Sequence, residues 1–184
     1  MNRPKKHKRF KEVEGLVVFT PSDADVTLAH TRSCKLGHVQ SAVGGAMARM
    51  AGFLGEVSVG RYLGKRCHYV GDKEYAYDAL YKKYRVEIKS KSCGRRPDPH
   101  FNAFVNGPEG FRPDNDIYFF TRVRRDFRRV YLCGWLPTPT FFDEAEYKPT
   151  GVMEDSGFVT TMEGYHNDIG DLNHPKEFKT IRKD

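Results

Sequence analysis

The sequence predicts an α/β domain in which a mixed central β-sheet is flanked by helices. Two observations carry that prediction. Apolar residues between about His38 and Leu63 recur on a helical period, and the chain from Gly64 to Leu136 then turns to strand-like segments that pair off around short turns. The composition agrees, since 13 Phe and 10 Tyr in 184 residues are what a packed core uses and disordered chains lack.

Residues 1–11 hold seven basic side chains and one aromatic, which predicts a flexible basic arm ahead of one domain spanning 12–184. Gly15 to Ala29 reads as two short strands around the turn Pro21-Ser22-Asp23-Ala24-Asp25. In the helical stretch, Val43, Met47, Met50, Leu54 and Val57 share one face. Glycines at 44, 45, 52, 55 and 60 each cost roughly 1 kcal/mol in a helix interior, so two helices or a kink near Gly52 are expected, with a stop at Gly64. Tyr75–Tyr81 and Tyr84–Ser90 flank Lys82-Lys83 as a hairpin. A Pro/Gly-rich loop from Gly94 to Asn115 leads to a second strand pair, Ile117–Val123 and Arg129–Leu136. Beyond Pro137 the pattern gives a short helix near Phe141–Tyr147, a strand near Gly157–Thr161 and a polar end. Such an order suits an α/β sandwich.

Net charge is +7 and the pI about 9.2, a balance that favours a polyanionic partner, nucleic acid being the commonest. No apolar run approaches the ~18 residues of a membrane span, and no apolar stretch follows the basic N-terminus as a signal peptide requires, so a cytoplasmic protein is expected. Cys34, Cys67, Cys93 and Cys133 form no C-x-x-C, which argues for reduced structural thiols over a zinc site.

E-x-K occurs at Glu87-Ile88-Lys89, Glu146-Tyr147-Lys148 and Glu177-Phe178-Lys179, and context separates the three. In the first, strand alternation puts Glu87 and Lys89 on one face, and the preceding strand supplies Asp78. Paired strands lie about 4.8 Å apart, close enough for two carboxylates to converge on one hard cation such as Mg²⁺, with Mn²⁺ able to substitute. Glu146-Tyr147-Lys148 runs into Pro149 with no evident partner strand, and Glu177-Phe178-Lys179 follows Pro175 at the chain's end. Glu56 is a third acid, either an exposed helical glutamate or one aimed at the cation across a face thinned by Gly52 and Gly60.

Gly52-x-x-Gly55-Glu56, Tyr62-Leu63-Gly64, Asp78 on a strand and Val86-Glu87-Ile88-Lys89-Ser90-Lys91-Ser92 together resemble the PD-(D/E)XK, or restriction-endonuclease-like, nuclease superfamily, in particular its small phage and mobile-element members. The likeness covers roughly residues 52–92, and the strands to Leu136 agree in order. Tyr77 stands where the family's first motif has proline. The resemblance implies a restriction-endonuclease-like core at about 38–136 and hydrolysis of DNA phosphodiester bonds by a metal-activated water. It also implies that Asp78, Glu87 and the Ile88 carbonyl hold the metal, that Glu56 completes its shell, and that Lys89 attends the attacking water and scissile phosphate.

Basic residues near these motifs are candidates for gripping nucleic acid: Lys91, Arg95 and Arg96 after the first hairpin, and Arg122, Arg124, Arg125, Arg128 and Arg129 around Phe127 at the second turn. The hairpin arginines equally suit an edge guarded by charge against aggregation, and Lys91 a solvated strand end. The competing functional readings are a catalytically silent nucleic-acid-binding protein of the same fold, a junction-resolving homodimer, and a small assembly protein whose arm holds packaged nucleic acid.

Overall fold

The computed structural model describes residues 9–35, 45–70, 77–153 and 159–181. Residues 1–8 of the expected arm, 38–44 of the expected helix, Tyr75 and Ala76 of the first expected hairpin, and 157–158 of the last expected strand lie outside the described residues.

Strands β1 (Phe10–Val13) and β2 (Leu16–Phe19) form a hairpin. Its two turn residues both have positive φ, +47° at Glu14 and +78° at Gly15, the backbone that two-residue hairpins require. Phe10 and Lys11, which the sequence assigns to the arm, therefore belong to the sheet, and the Arg9 carbonyl accepts from the Thr20 amide at 2.9 Å. Helix α1 (Asp23–Lys35) replaces the strand expected at 26–29. Ser22 starts it with a capping box: the Asp25 amide donates to Ser22 Oγ at 3.4 Å, and the Ser22 amide donates back to Asp25 Oδ2 at 2.9 Å. Asp25 is fully buried, and Arg9 and Arg61 (3.0 Å) balance its charge.

Helix α2 (Gly45–Leu63) runs unbroken past Gly52, without the expected division. Tertiary packing outweighs the glycines' propensity cost, because α2 lays Met50, Leu54 and Val59 on the sheet. Gly64, at φ +72°, ends it through one 3-10 turn. Next come β3 (Cys67–Tyr69), β4 (Ala79–Tyr81) and β5 (Tyr84–Cys93), then β6 (Asn102–Asn106), which the sequence hides in a loop. Strands β7 (Ile117–Arg124) and β8 (Val130–Pro137) follow as expected, then α3 (Thr138–Glu144), β9 (Glu146–Lys148), β10 (Gly164–Asp168) and a single helical turn, α4 (Pro175–Phe178).

The main sheet has seven strands in the order β1-β2-β8-β7-β5-β4-β3, and β5 with β7 is its parallel pair. Every residue of β7 before Arg124 is buried, which explains why Ile117–Val123 reads as an apolar run rather than alternation. Helices α1, α2 and α4 cover one face, around Phe119, Leu54 and Phe178. The other face carries α3 and a three-stranded sheet, β6-β10-β9, around Tyr118, Phe141 and Tyr165. Burying one such aromatic or leucine contributes about 1.5–3 kcal/mol. Asp116 sets the parallel register: its carboxylate accepts from the Arg85 amide at 2.8 Å and from the guanidinium at 3.1 Å. Among the described residues no helix is long and apolar enough to cross a membrane.

Candidate active site and adjoining basic cleft

The β4–β5 hairpin positions the carboxylates. Lys82, at φ +59°, makes the tight turn, and Ala79 pairs with Val86, so Asp78 falls opposite Glu87. The Asp78 amide still donates to the Val86 carbonyl (3.0 Å), but its side chain turns along β5 and accepts from the Ile88 amide at 2.7 Å. An extended residue points its N–H and C=O to the same side, so the Ile88 carbonyl also projects toward the edge where the β4 ladder ends. Strand alternation carries Glu87 and Lys89 to the face of β5 opposite Val86 and Ile88, and the Lys89 ammonium donates to Glu87 Oε1 at 2.7 Å. Burial first, and then the charge of Glu87, push the Asp78 carboxyl up to about 7, against the opposing pull of the Ile88 amide and Lys89.

Glu56 approaches from the helix side. Its carboxylate lies 3.7 Å from the Arg32 guanidinium, which in turn sits 4.4 Å from the centre of the Tyr69 ring. The Tyr69 hydroxyl donates to the Glu56 carbonyl. Burial, then Glu56, Cys67 and Asp78, hold the Tyr69 phenol well above its usual range, so this ring neighbours both the helix acid and the strand acid. The glycine argument holds only in part. A Cβ at Gly60 would lie 2.9 Å from the Tyr69 ring, whereas one at Gly52 meets nothing within 4 Å. The close approach of α2 to the sheet is instead at Gly55, where a Cβ would overlap Ser90 Oγ and lie 2.6 Å from Thr121 Oγ1.

The donors fit a hard divalent cation by type: two carboxylates and a carbonyl, all oxygen. Among the described residues no three His, Cys, Asp or Glu side chains converge on one point.

Lys91 is not a solvated strand end. Its ammonium donates to Asn102 Oδ1 (3.2 Å) and lies 4.3 Å from the centre of the Phe104 ring. Burial and the neighbouring Arg122 lower its pKa to about 8. Together they line a cleft of about 430 Å³ between the two sheets, with Lys89 at one side. Other basic candidates are less available. Arg96 pairs with the Glu14 carboxylate and donates to its carbonyl at 2.9 Å, tying the loop after β5 to the first hairpin. Arg95 is exposed, 5.7 Å from the Phe101 ring centre. Arg124 pairs with Asp126 at 3.0 Å, while Arg125 and Arg128 are exposed at the β7–β8 turn. Phe127, at φ +55°, packs against the core beneath α1 and α2, so it is no wedge at the tip.

Of the two copies of E-x-K set aside, Glu146-Tyr147-Lys148 does have a partner strand: β9 pairs with β10, setting Glu146 opposite His166. Glu177-Phe178-Lys179 lies on and after α4. No family model matches the chain, and no curated protein matches it significantly. Asn102, Phe104 and Tyr69 are site residues that sequence reasoning did not assign. Arg122, which the sequence groups with the turn arginines, is set by the parallel register of β5 and β7 directly beside Lys91.

Proposed function

We propose that this protein is a metal-dependent nuclease that hydrolyses DNA phosphodiester bonds at Asp78, Glu87 and Lys89. The observation that carries the reading is the pair of carboxylates, Asp78 just ahead of β4 and Glu87 opposite it on β5, with Lys89 2.7 Å from Glu87 and a basic cleft alongside. Asp78, Glu87 and the Ile88 carbonyl would hold Mg²⁺ or Mn²⁺. When bound, such an ion supplies Lewis acidity at the phosphoryl oxygen and lowers the pKa of a coordinated water. Lys89 keeps a positive charge where negative charge builds on the phosphoryl group. The Ile88 amide orients Asp78, and Arg32 with Tyr69 hold Glu56 beside the site as an outer carboxylate.

A cleavage panel of plasmid, linear, single-stranded and branched DNA with Mg²⁺, Mn²⁺ or EDTA tests this reading. Cleavage is expected with either metal and none in EDTA. Asp78→Asn, Glu87→Gln and Lys89→Ala should each lose at least about a hundredfold in rate while keeping the native circular dichroism. Glu146→Ala should cut at the parent rate. Full activity of Lys89→Ala, or activity in EDTA, overturns the assignment.

A further inference from the structure

The cleft beside Lys89 is built for an anion and is too confined for a duplex. Arg49 of α2, Lys89 and Lys91 of β5 and Arg122 of β7 line it, and among the described residues no Asp or Glu does. Lys91 and Arg122 are directly adjacent across the parallel pair, a costly arrangement of like charges that Asn102 Oδ1 bridges as an uncharged acceptor, at 3.2 and 3.4 Å. Arg122 is only 8% exposed, and its guanidinium donates to the Asn102 carbonyl. The Arg49 Nε is buried with no hydrogen-bond partner among the described residues. Beside these cations stand the Asn106 amide and the Phe104 ring, which has Lys91 at 4.3 Å and His166 at 4.8 Å from its centre, while the Asn102 amide is engaged by Lys91 and His166.

We propose that the cleft takes one unpaired nucleotide of a DNA strand next to the scissile phosphate, its phosphate held by Lys91, Arg122 and Arg49 and its base set at the Phe104 ring beside the Asn106 amide. This rests on the nuclease reading for the position of the cut. Lys89 and Lys91 are two residues apart on one strand face, roughly 6.6 Å, so a strand whose scissile phosphate lies at Lys89 delivers a neighbouring nucleotide to Lys91. A volume of about 430 Å³ falls in the range of small-ligand pockets. A base enters such a pocket only after leaving its stack, which costs least where it is already unpaired. The substrate class is therefore single-stranded DNA, or an unpaired stretch within a longer duplex.

Binding in EDTA separates this proposal from catalysis. Fluorescence anisotropy with a short unstructured oligonucleotide and the blunt duplex of the same sequence should show the single strand held at least about tenfold more tightly. Lys91→Met, which keeps the aliphatic stem over Phe104, should erase most of that preference and leave duplex affinity nearly unchanged. Ala48→Trp, which narrows the cleft from the helix side, should do the same. On the unaltered protein, thymidine monophosphate should displace the strand at a lower concentration than inorganic phosphate. Equal or tighter duplex binding overturns the proposal, as does a preference that survives in both natively folded variants, or phosphate competing as well as the mononucleotide. Strand preference without any metal-dependent cleavage would leave the cleft assigned and sink the nuclease. Cleavage without strand preference would do the reverse.

Discussion

Two carboxylates set opposite each other repel, and at Asp78 that repulsion adds to burial. Its folded pKa of about 7 stands above the ordinary 3.8, so between those values the folded chain holds a proton that the unfolded chain has released. Stability of the metal-free protein should accordingly fall as pH rises through that window. Urea midpoints in EDTA are expected to be lower at pH 7.5 than at pH 5, with a smaller difference in Asp78→Asn. Added Mg²⁺ should raise the parent's midpoint at pH 7.5, where proton competition is weakest. Identical pH profiles for parent and variant would mean that the carboxylates do not share one site. At this scale the sequence was informative where strand alternation alone decides: it groups Glu87 with Lys89 and sets Asp78 across from them. It was silent where a side chain's direction depends on distant packing. Arg96 is engaged by Glu14 from the first hairpin, and Phe127 turns inward to the helices; neither partner is close in sequence.

Helix α2 and the β4–β5 hairpin carry the site, and glycine has a different role at each position on the helix. Gly55→Ala should destabilise despite alanine's better helix propensity, because its methyl group overlaps Ser90 Oγ and crowds Thr121 Oγ1. A loss of about 1–3 kcal/mol is expected by urea denaturation. Gly52→Ala, with open space around its Cβ, should instead gain up to about 1 kcal/mol. A stabilising Gly55→Ala would show that α2 does not rest on β5 at that point. Long periodic elements were legible: α2 by its apolar face, and β5, β7 and β8 by their content of apolar and aromatic residues. The elements that escaped were short or set by caps. The Ser22–Asp25 box made a helix of a segment whose Val26-Thr27-Leu28 looks extended, and β6 and β10 are strands because they pair with each other and β10 with β9.

Charge is spread over the whole molecule, and its role in binding is measurable as a salt dependence. For a single strand, log-log affinity against salt should have a slope near −0.7 per phosphate contact. Deleting residues 2–8 should flatten it, and so should Arg125→Ala combined with Arg128→Ala, because both remove cations that can meet phosphates outside the cleft. An unchanged slope in both would assign the grip to the cleft alone. Arg9→Ala is a different experiment, since Arg9 balances the buried Asp25, and it should lower stability rather than the slope. The strand pairings also set an order in time. Tyr81 meets Tyr84 across a turn, a contact the chain can close within microseconds, whereas Val86 must find Ile117, 31 residues away, and β6 must find β10 from farther still. The hairpin holding Asp78, Glu87 and Lys89 is thus able to form early in folding, while the wall of the cleft contributed by the small sheet arrives only with the slow, non-local closure.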